Sequence, residues 1–89
     1  MKIDYLLDTG NEQNIIERYS KHITDDVVDQ LIARRKELKM TQQDVANMTG
    51  IQRANVARIE LKKNEASLDS LVKIADSVGM KLSIKLEEV

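Results

Sequence analysis

The chain has 89 residues and a mass of 10.1 kDa, which is enough for one small domain. It contains no Cys and one His, which excludes disulfides, thiolate metal sites, cysteine nucleophiles and any site that needs two imidazoles. No apolar run reaches the roughly 20 residues that span a bilayer, and the N-terminus lacks the pattern of a signal peptide. We therefore expect a soluble, cytoplasmic protein with no membrane partner.

Charge is distributed unevenly along the chain. The total is −1, but residues 1–28 carry −3, residues 29–65 carry +3 and residues 66–89 carry −1. A basic middle segment can contact nucleic acid even when the chain as a whole is slightly acidic. The acidic N-terminal segment is better suited to a basic partner than to nucleic acid.

The composition, with three Gly, no Pro and 33% charged residues, favours short helices. Asn11 is a candidate N-cap for a first helix, and Thr24, followed by two acidic residues, is a candidate N-cap for a second. The expected buried positions of the first are Ile15, Ile16, Tyr19 and Ile23. Those of the second are Val28, Leu31, Ile32 and Leu38.

Three further helices are predicted in the middle of the chain. Thr41 and Asp44 have the spacing of a capping box, and Gly50 ends that helix after about two turns. Another helix begins near Gln52, and Ser67 caps the last. The expected inward positions are Val45, Ala46 and Met48, then Val56 and Ile59, then Leu68, Leu71, Ile74, Ala75 and Val78. Met40 and Met80 are also expected to fill the core.

After Gly79 the hydrophobic period changes from that of a helix to strict alternation. Met80, Leu82, Ile84 and Leu86 are apolar and the residues between them are polar, which predicts a strand. A single strand must find a partner for its backbone groups. We expect it to pair either with residues 2–7 or, as the favoured alternative, with a second copy of the chain through Leu82, Ile84 and Leu86.

The segment from Thr41 to Glu60 has the spacing of a helix-turn-helix, with Gly50 in the turn. Its second helix would direct a set of polar and small side chains outward, suited to base edges in the major groove: Gln52, Arg53, Ala54, Asn55 and Arg58. Gln42, at the start of the preceding helix, can meet a phosphate. Lys62 and Lys63 are further candidate phosphate contacts.

From Leu31 to Gly79 the sequence resembles the Xre/Cro phage-repressor family of helix-turn-helix regulators. The resemblance rests on Arg35 and on a series of short motifs: Thr41-Gln42, Val45-Ala46, Gly50-Ile51, Val56, Ile59-Glu60, Ser67 to Leu71, and Ile74-Ala75. It implies that the outward residues of the second helix face the groove, that Gln42 contacts the DNA backbone, and that Arg35 pairs with Glu60 inside the fold.

These observations predict a mainly α fold, a compact bundle of about five short helices with a C-terminal strand that pairs across a dimer. The predicted divisions are an acidic segment at 1–23, a DNA-binding domain at 24–79 and a dimerisation strand at 80–89. No nucleophile–base pair, carboxylate dyad or phosphate loop is present, so we expect no enzymatic activity, no metal and no cofactor.

Two functions are consistent with this pattern. The favoured one is a dimeric repressor of double-stranded DNA with a palindromic operator, acting as the antitoxin of a small basic toxin, as some relatives resembling this chain do. The alternative is a free-standing phage-type or metabolic repressor with no toxin partner. The acidic segment at residues 1–28 favours the first.

Overall fold

The computed structural model describes residues 12–63 and 66–89. Within those ranges it contains four helices: α1 (Glu12–Glu37), α2 (Gln42–Thr49), α3 (Arg53–Glu60) and α4 (Leu68–Ser77). Helix α2 packs against α3 and α4, and α1 packs against α3 and α4. The architecture is therefore a small helical bundle in which the two short helices α2 and α3 are consecutive.

The prediction of two helices before residue 38 was wrong, because α1 runs without a break for 26 residues. Thr24 does not cap a helix. Its hydroxyl instead donates a 3.0 Å hydrogen bond to the carbonyl oxygen of Ser20 in the preceding turn. The predicted cap at Asn11 lies outside the described residues. The predicted boundary between the acidic segment at 1–23 and the DNA-binding domain at 24–79 lies inside α1. This division into domains stays a prediction.

Helix α1 ends through backbone bonds and a left-handed residue. The amides of Lys39 and Met40 donate to the carbonyls of Lys36 and Arg35, and Lys39 has a φ of 58°. Three basic residues in the last turn, Arg34, Arg35 and Lys36, complement the negative end of the helix dipole. Leu38 was expected on the buried face, but it follows the helix and is 42% exposed.

The core is aliphatic, as the composition requires. Its buried members come from all four helices: Val28, Leu31, Val45, Ala46, Val56, Ile59, Leu71, Ile74, Ala75 and Val78. Ile32, Met40 and Ile51 pack against this cluster while partly exposed. Ile15 is also buried, outside the cluster. The predicted inward positions of the three short helices are thus largely confirmed.

Several apolar residues predicted to be buried are exposed. They are Ile16, Ile23, Met48, Leu68 and Met80. Ile16 and Ile23 lie one heptad apart on α1, N-terminal to the part of that helix that contributes to the core. The first half of α1 therefore carries apolar surface that the helix-turn-helix core does not use.

The predicted C-terminal strand is not present. Residues 80–89 form no strand in the described part of the chain, and Leu86 is 98% exposed while Ile84 is 67% exposed. Leu82 is the exception, because it packs against the helical core. An alternating pattern becomes a strand only when a neighbouring strand accepts and donates its backbone bonds. The predicted fold class is corrected accordingly to four helices without a strand in these residues.

Candidate nucleic-acid interface

Helix α2 begins with the predicted capping box. The hydroxyl of Thr41 accepts a 3.0 Å bond from the amide of Asp44, and the carboxylate of Asp44 accepts a 2.8 Å bond from the amide of Thr41. These bonds satisfy two backbone donors at the helix start. The backbone N–H groups of Gln42 and Gln43, also in the first turn, have no partner within the helix. They remain available to an anion.

The joint between α2 and α3 depends on Gly50, which has a φ of 79°. Its amide donates to the carbonyl of Ala46, and no atom lies close to where its Cβ would be. The hydroxyl of Thr49 donates to Val45 and accepts from the amide of Ile51. The turn therefore needs the left-handed conformation that glycine adopts without strain, and it directs the chain straight into α3.

Helix α3 has one buried side and one exposed side. Val56 and Ile59 face the core, with 0% and 8% exposure. The residues predicted to face DNA are all exposed: Gln52, Arg53, Ala54, Asn55 and Arg58. Gln52 is the N-cap residue but makes no side-chain capping bond, so its amide is not used at the helix start. The arrangement presents two guanidinium groups and two amides on one short helix.

Two of these exposed residues contact each other. Nη1 of Arg58 donates a 3.3 Å hydrogen bond to Oδ1 of Asn55, three residues earlier on the same helix. Asn55 uses its carbonyl oxygen in this bond. A bidentate contact of Asn with adenine uses that same oxygen as an acceptor, so the bond to Arg58 would compete with such a contact.

Beneath this surface, Arg35 and Glu60 form a bidentate ion pair. Nε and Nη2 of Arg35 lie 2.7 and 2.8 Å from the two oxygens of Glu60, and the side chains are only 12% and 15% exposed. Nη1 of Arg35 also donates to the carbonyl of Met40. Hydrogen bonding to Glu60 raises the pKa of Arg35 above its ordinary value, despite the opposing effect of burial. The pair joins α1 to the end of α3.

Gln42 has a contact that sequence reasoning missed. Its Nε2 donates a 3.1 Å hydrogen bond to Oε1 of Glu60, so the side chain predicted to meet a phosphate lies against the ion pair. The two residues are 18 positions apart, and no local pattern in the sequence relates them. The contact links the N-terminus of α2 to the C-terminus of α3.

The two lysines after α3 differ in their surroundings. Lys62 has a φ of 61° and pairs with Asp29 on α1, and hydrogen bonding to Asp29 raises the pKa of Lys62. Lys63 is exposed, and its amide donates to the carbonyl of Arg58. Lys62 thus fastens the turn to α1, while the ammonium of Lys63 makes no ion pair with the described residues.

Within residues 12–63 and 66–89, no group of three acidic or His side chains is arranged to hold a metal ion. The helices in these ranges also lack the combination of length and apolar character needed to cross a bilayer.

Two consecutive short helices, a glycine turn and an exposed polar face on the second helix define a helix-turn-helix of the DNA-binding type. The family model described as helix-turn-helix, of the Xre/Cro-like kind, matches residues 31–84, more than half of the chain. The chain therefore belongs to the helix-turn-helix family and is a DNA-binding transcription regulator, a class of regulatory rather than enzymatic domains. No curated protein and no solved structure gives a significant match.

Proposed function

We propose that the chain acts as a dimeric repressor that binds a palindromic operator in double-stranded DNA. The observation that carries the proposal is that α3 exposes Arg53, Asn55 and Arg58 while Val56 on the same helix is fully buried. Arg and Asn are the side chains best suited to base edges in the major groove. Exposed Ala54 leaves room for close approach to a thymine methyl group.

The phosphate contacts are assigned to the two ends of the motif. In sequence, the first-turn backbone amides of α2 and the side chain of Gln42 stand at the beginning of the motif, and Lys63 stands at its end, after α3. Lys62 is paired with Asp29, so we assign it a weaker role. Both groups lie near the C-terminal end of α3, where Gln42 is hydrogen-bonded to Glu60. Phosphate contacts of this kind fix the position of a recognition helix in the groove without reading sequence.

The size of α3 supports a dimer. Eight residues make a helix about 12 Å long, which reaches only a few base pairs. Two copies on half-sites about one helical turn apart, ~34 Å, would double the number of bases read. The operator would then be an inverted repeat, because a two-fold axis relates the two copies.

Selection from random-sequence DNA, followed by sedimentation of the complex, tests this proposal. We expect an enriched inverted repeat with two half-sites about 10 bp apart between centres, and two chains bound per duplex. Enrichment of a single unrepeated half-site, with one chain bound, would contradict the dimer. Failure to enrich any sequence would contradict sequence-specific binding.

A second function, neutralisation of a small basic toxin, is favoured by the first half of α1. Ile16 and Ile23 are 53% and 47% exposed, although the DNA-binding core does not require them. Ile16 also lines a groove between α1 and the turn that holds Lys62 and Lys63. Exposed apolar side chains beside a concave surface are typical of protein-binding sites.

Charge substitutions on α1 separate the two functions. In the antitoxin proposal the toxin is encoded by the gene next to that of this chain. Ile16→Asp with Ile23→Asp should abolish rescue of cells that express this neighbouring gene but leave operator affinity unchanged. Ala33→Asp adds a single charge of the same sign at another exposed position of α1 and serves as the control. If the neighbouring gene is harmless when expressed alone, the antitoxin role fails and a free-standing repressor remains.

A further inference from the structure

The carboxylate of Glu60 accepts hydrogen bonds from two other helices. Oε2 accepts from Nε of Arg35, whereas Oε1 accepts both from Nη2 of Arg35 and from Nε2 of Gln42. Arg35 belongs to α1, Gln42 to α2 and Glu60 to α3. One carboxylate at the end of the recognition helix therefore holds the side chain that begins the preceding helix.

The amide group of Gln42 has two N–H donors. Glu60 accepts one of them, which leaves the second for another acceptor and restricts the rotamers of a long side chain. The first-turn amides of α2 lie at the same helix end, where the helix dipole favours an anion. Arg35 balances the charge of Glu60, so the carboxylate does not repel a phosphate that approaches Gln42.

Gln43, the next residue, provides a contrast within the same helix. Its Nε2 donates a 2.8 Å bond to Oδ1 of Asn47 one turn later, and both residues are exposed. Its side chain is thus directed along the surface of α2 by a local bond. Gln42 alone of these two glutamines is held by another helix.

We infer that Glu60 is a positioning residue for the DNA backbone: it orients the amide of Gln42 so that this amide meets a phosphate when α3 lies in the groove. The inference rests on the proposed DNA-binding function and goes beyond it. Because Glu60 belongs to α3, the position of the recognition helix determines how Gln42 of α2 contacts the phosphate. Glu60 acts through Gln42 and does not itself touch the DNA.

A double-mutant cycle tests the inference, with the duplex that the wild-type chain enriches from random-sequence DNA as the probe. Gln42→Ala should weaken binding about tenfold, as expected for one hydrogen bond to a charged group. Glu60→Asp keeps the charge beside Arg35 but withdraws the carboxylate from Gln42. It should weaken binding about two- to tenfold, the effect of releasing one rotamer-rich side chain.

The combination of the two substitutions is decisive. With Ala at position 42, Glu60→Asp should cause no further loss of affinity, although it should lower the melting temperature as much as it does in the wild-type background. In the Gln43→Ala background, which is the control, Glu60→Asp should weaken binding as much as it does in the wild-type background. An equal loss of affinity in all three backgrounds would show a purely structural role and overturn the inference alone. Absence of any enriched duplex would overturn the proposed function together with it.

Discussion

At the scale of single residues, the proposed base reading by α3 depends on how its exposed side chains are held. The bond from Arg58 to Asn55 occupies the asparagine oxygen and restrains the guanidinium. Arg53 makes no such side-chain bond with the residues that the structure describes. Arg53 and Arg58 are therefore expected to read bases independently of each other. Base reading by Arg58 is expected to depend on Asn55.

Arg53→Ala and Arg58→Ala should each cost about 1–3 kcal/mol of operator binding and relax the preference at one base pair. Asn55→Ala should relax the preference at the same base pair as Arg58→Ala, because it removes the acceptor that restrains Arg58. Affinities for duplexes with single base-pair changes measure these effects. Asn47→Ala, at an exposed asparagine of α2, is the control and should leave all preferences intact. A separate base pair affected by Asn55→Ala would show direct reading by Asn55.

The ion pair between Arg35 and Glu60 governs stability at the same scale. Removing one partner of a largely buried pair leaves the other charge uncompensated, at a cost of about 3–5 kcal/mol. Glu60→Ala should therefore unfold at much lower temperature and urea concentration than the wild-type chain. Glu37→Ala removes the partner of Arg34, but Glu37 is 69% exposed, so a change under about 0.5 kcal/mol is expected. Similar losses for both variants would contradict the burial of the pair.

At the scale of the elements, identical residue types at predicted caps have different roles. Thr41 caps α2 through a bond to the amide of Asp44, while Thr24 lies inside α1 and bonds backward to Ser20. A cap satisfies a backbone donor that has no partner in the helix. An interior threonine instead lowers helix propensity through its branched side chain.

These two threonines should respond oppositely to alanine. Thr41→Ala should destabilise the fold by about 1 kcal/mol, whereas Thr24→Ala should be neutral or stabilise it by up to about 0.7 kcal/mol. Urea denaturation followed by circular dichroism measures both. A clear destabilisation by Thr24→Ala would indicate that a helix begins at this residue, contrary to the continuous α1.

At the scale of the whole molecule, residues 80–89 contribute to the hydrophobic core through one side chain. Leu82 packs against the core, but Ile84 is largely exposed. Leu82→Asp should destabilise the chain by about 1–3 kcal/mol, since a charge would be moved into an apolar contact. Ile84→Asp should leave the melting temperature unchanged. Equal destabilisation by the two variants would show that the apolar residues of this segment are buried together.

The helix-turn-helix could be predicted from sequence because its signals are local. A capping box acts across three residues, Gly50 is required by the φ of a single turn, and the inward positions of α3 follow from helical periodicity. The same kind of local signal failed in α1, where Thr24 and the acids after it resemble a helix start. A continuous helix satisfies those backbone groups equally well, so the local pattern did not distinguish a helix start at Thr24 from an unbroken α1.

The sequence by itself determined the aliphatic core, the positions of α2 and α3, and the set of exposed residues on the recognition helix, since each depends on neighbours within a turn or two. Only the tertiary structure decided that residues 80–89 form no strand in the described part of the chain, and that Gln42 contacts Glu60. A strand requires a partner for its backbone, and a contact between helices requires that packing bring together residues 18 positions apart. Neither condition can be recognised from a local sequence pattern.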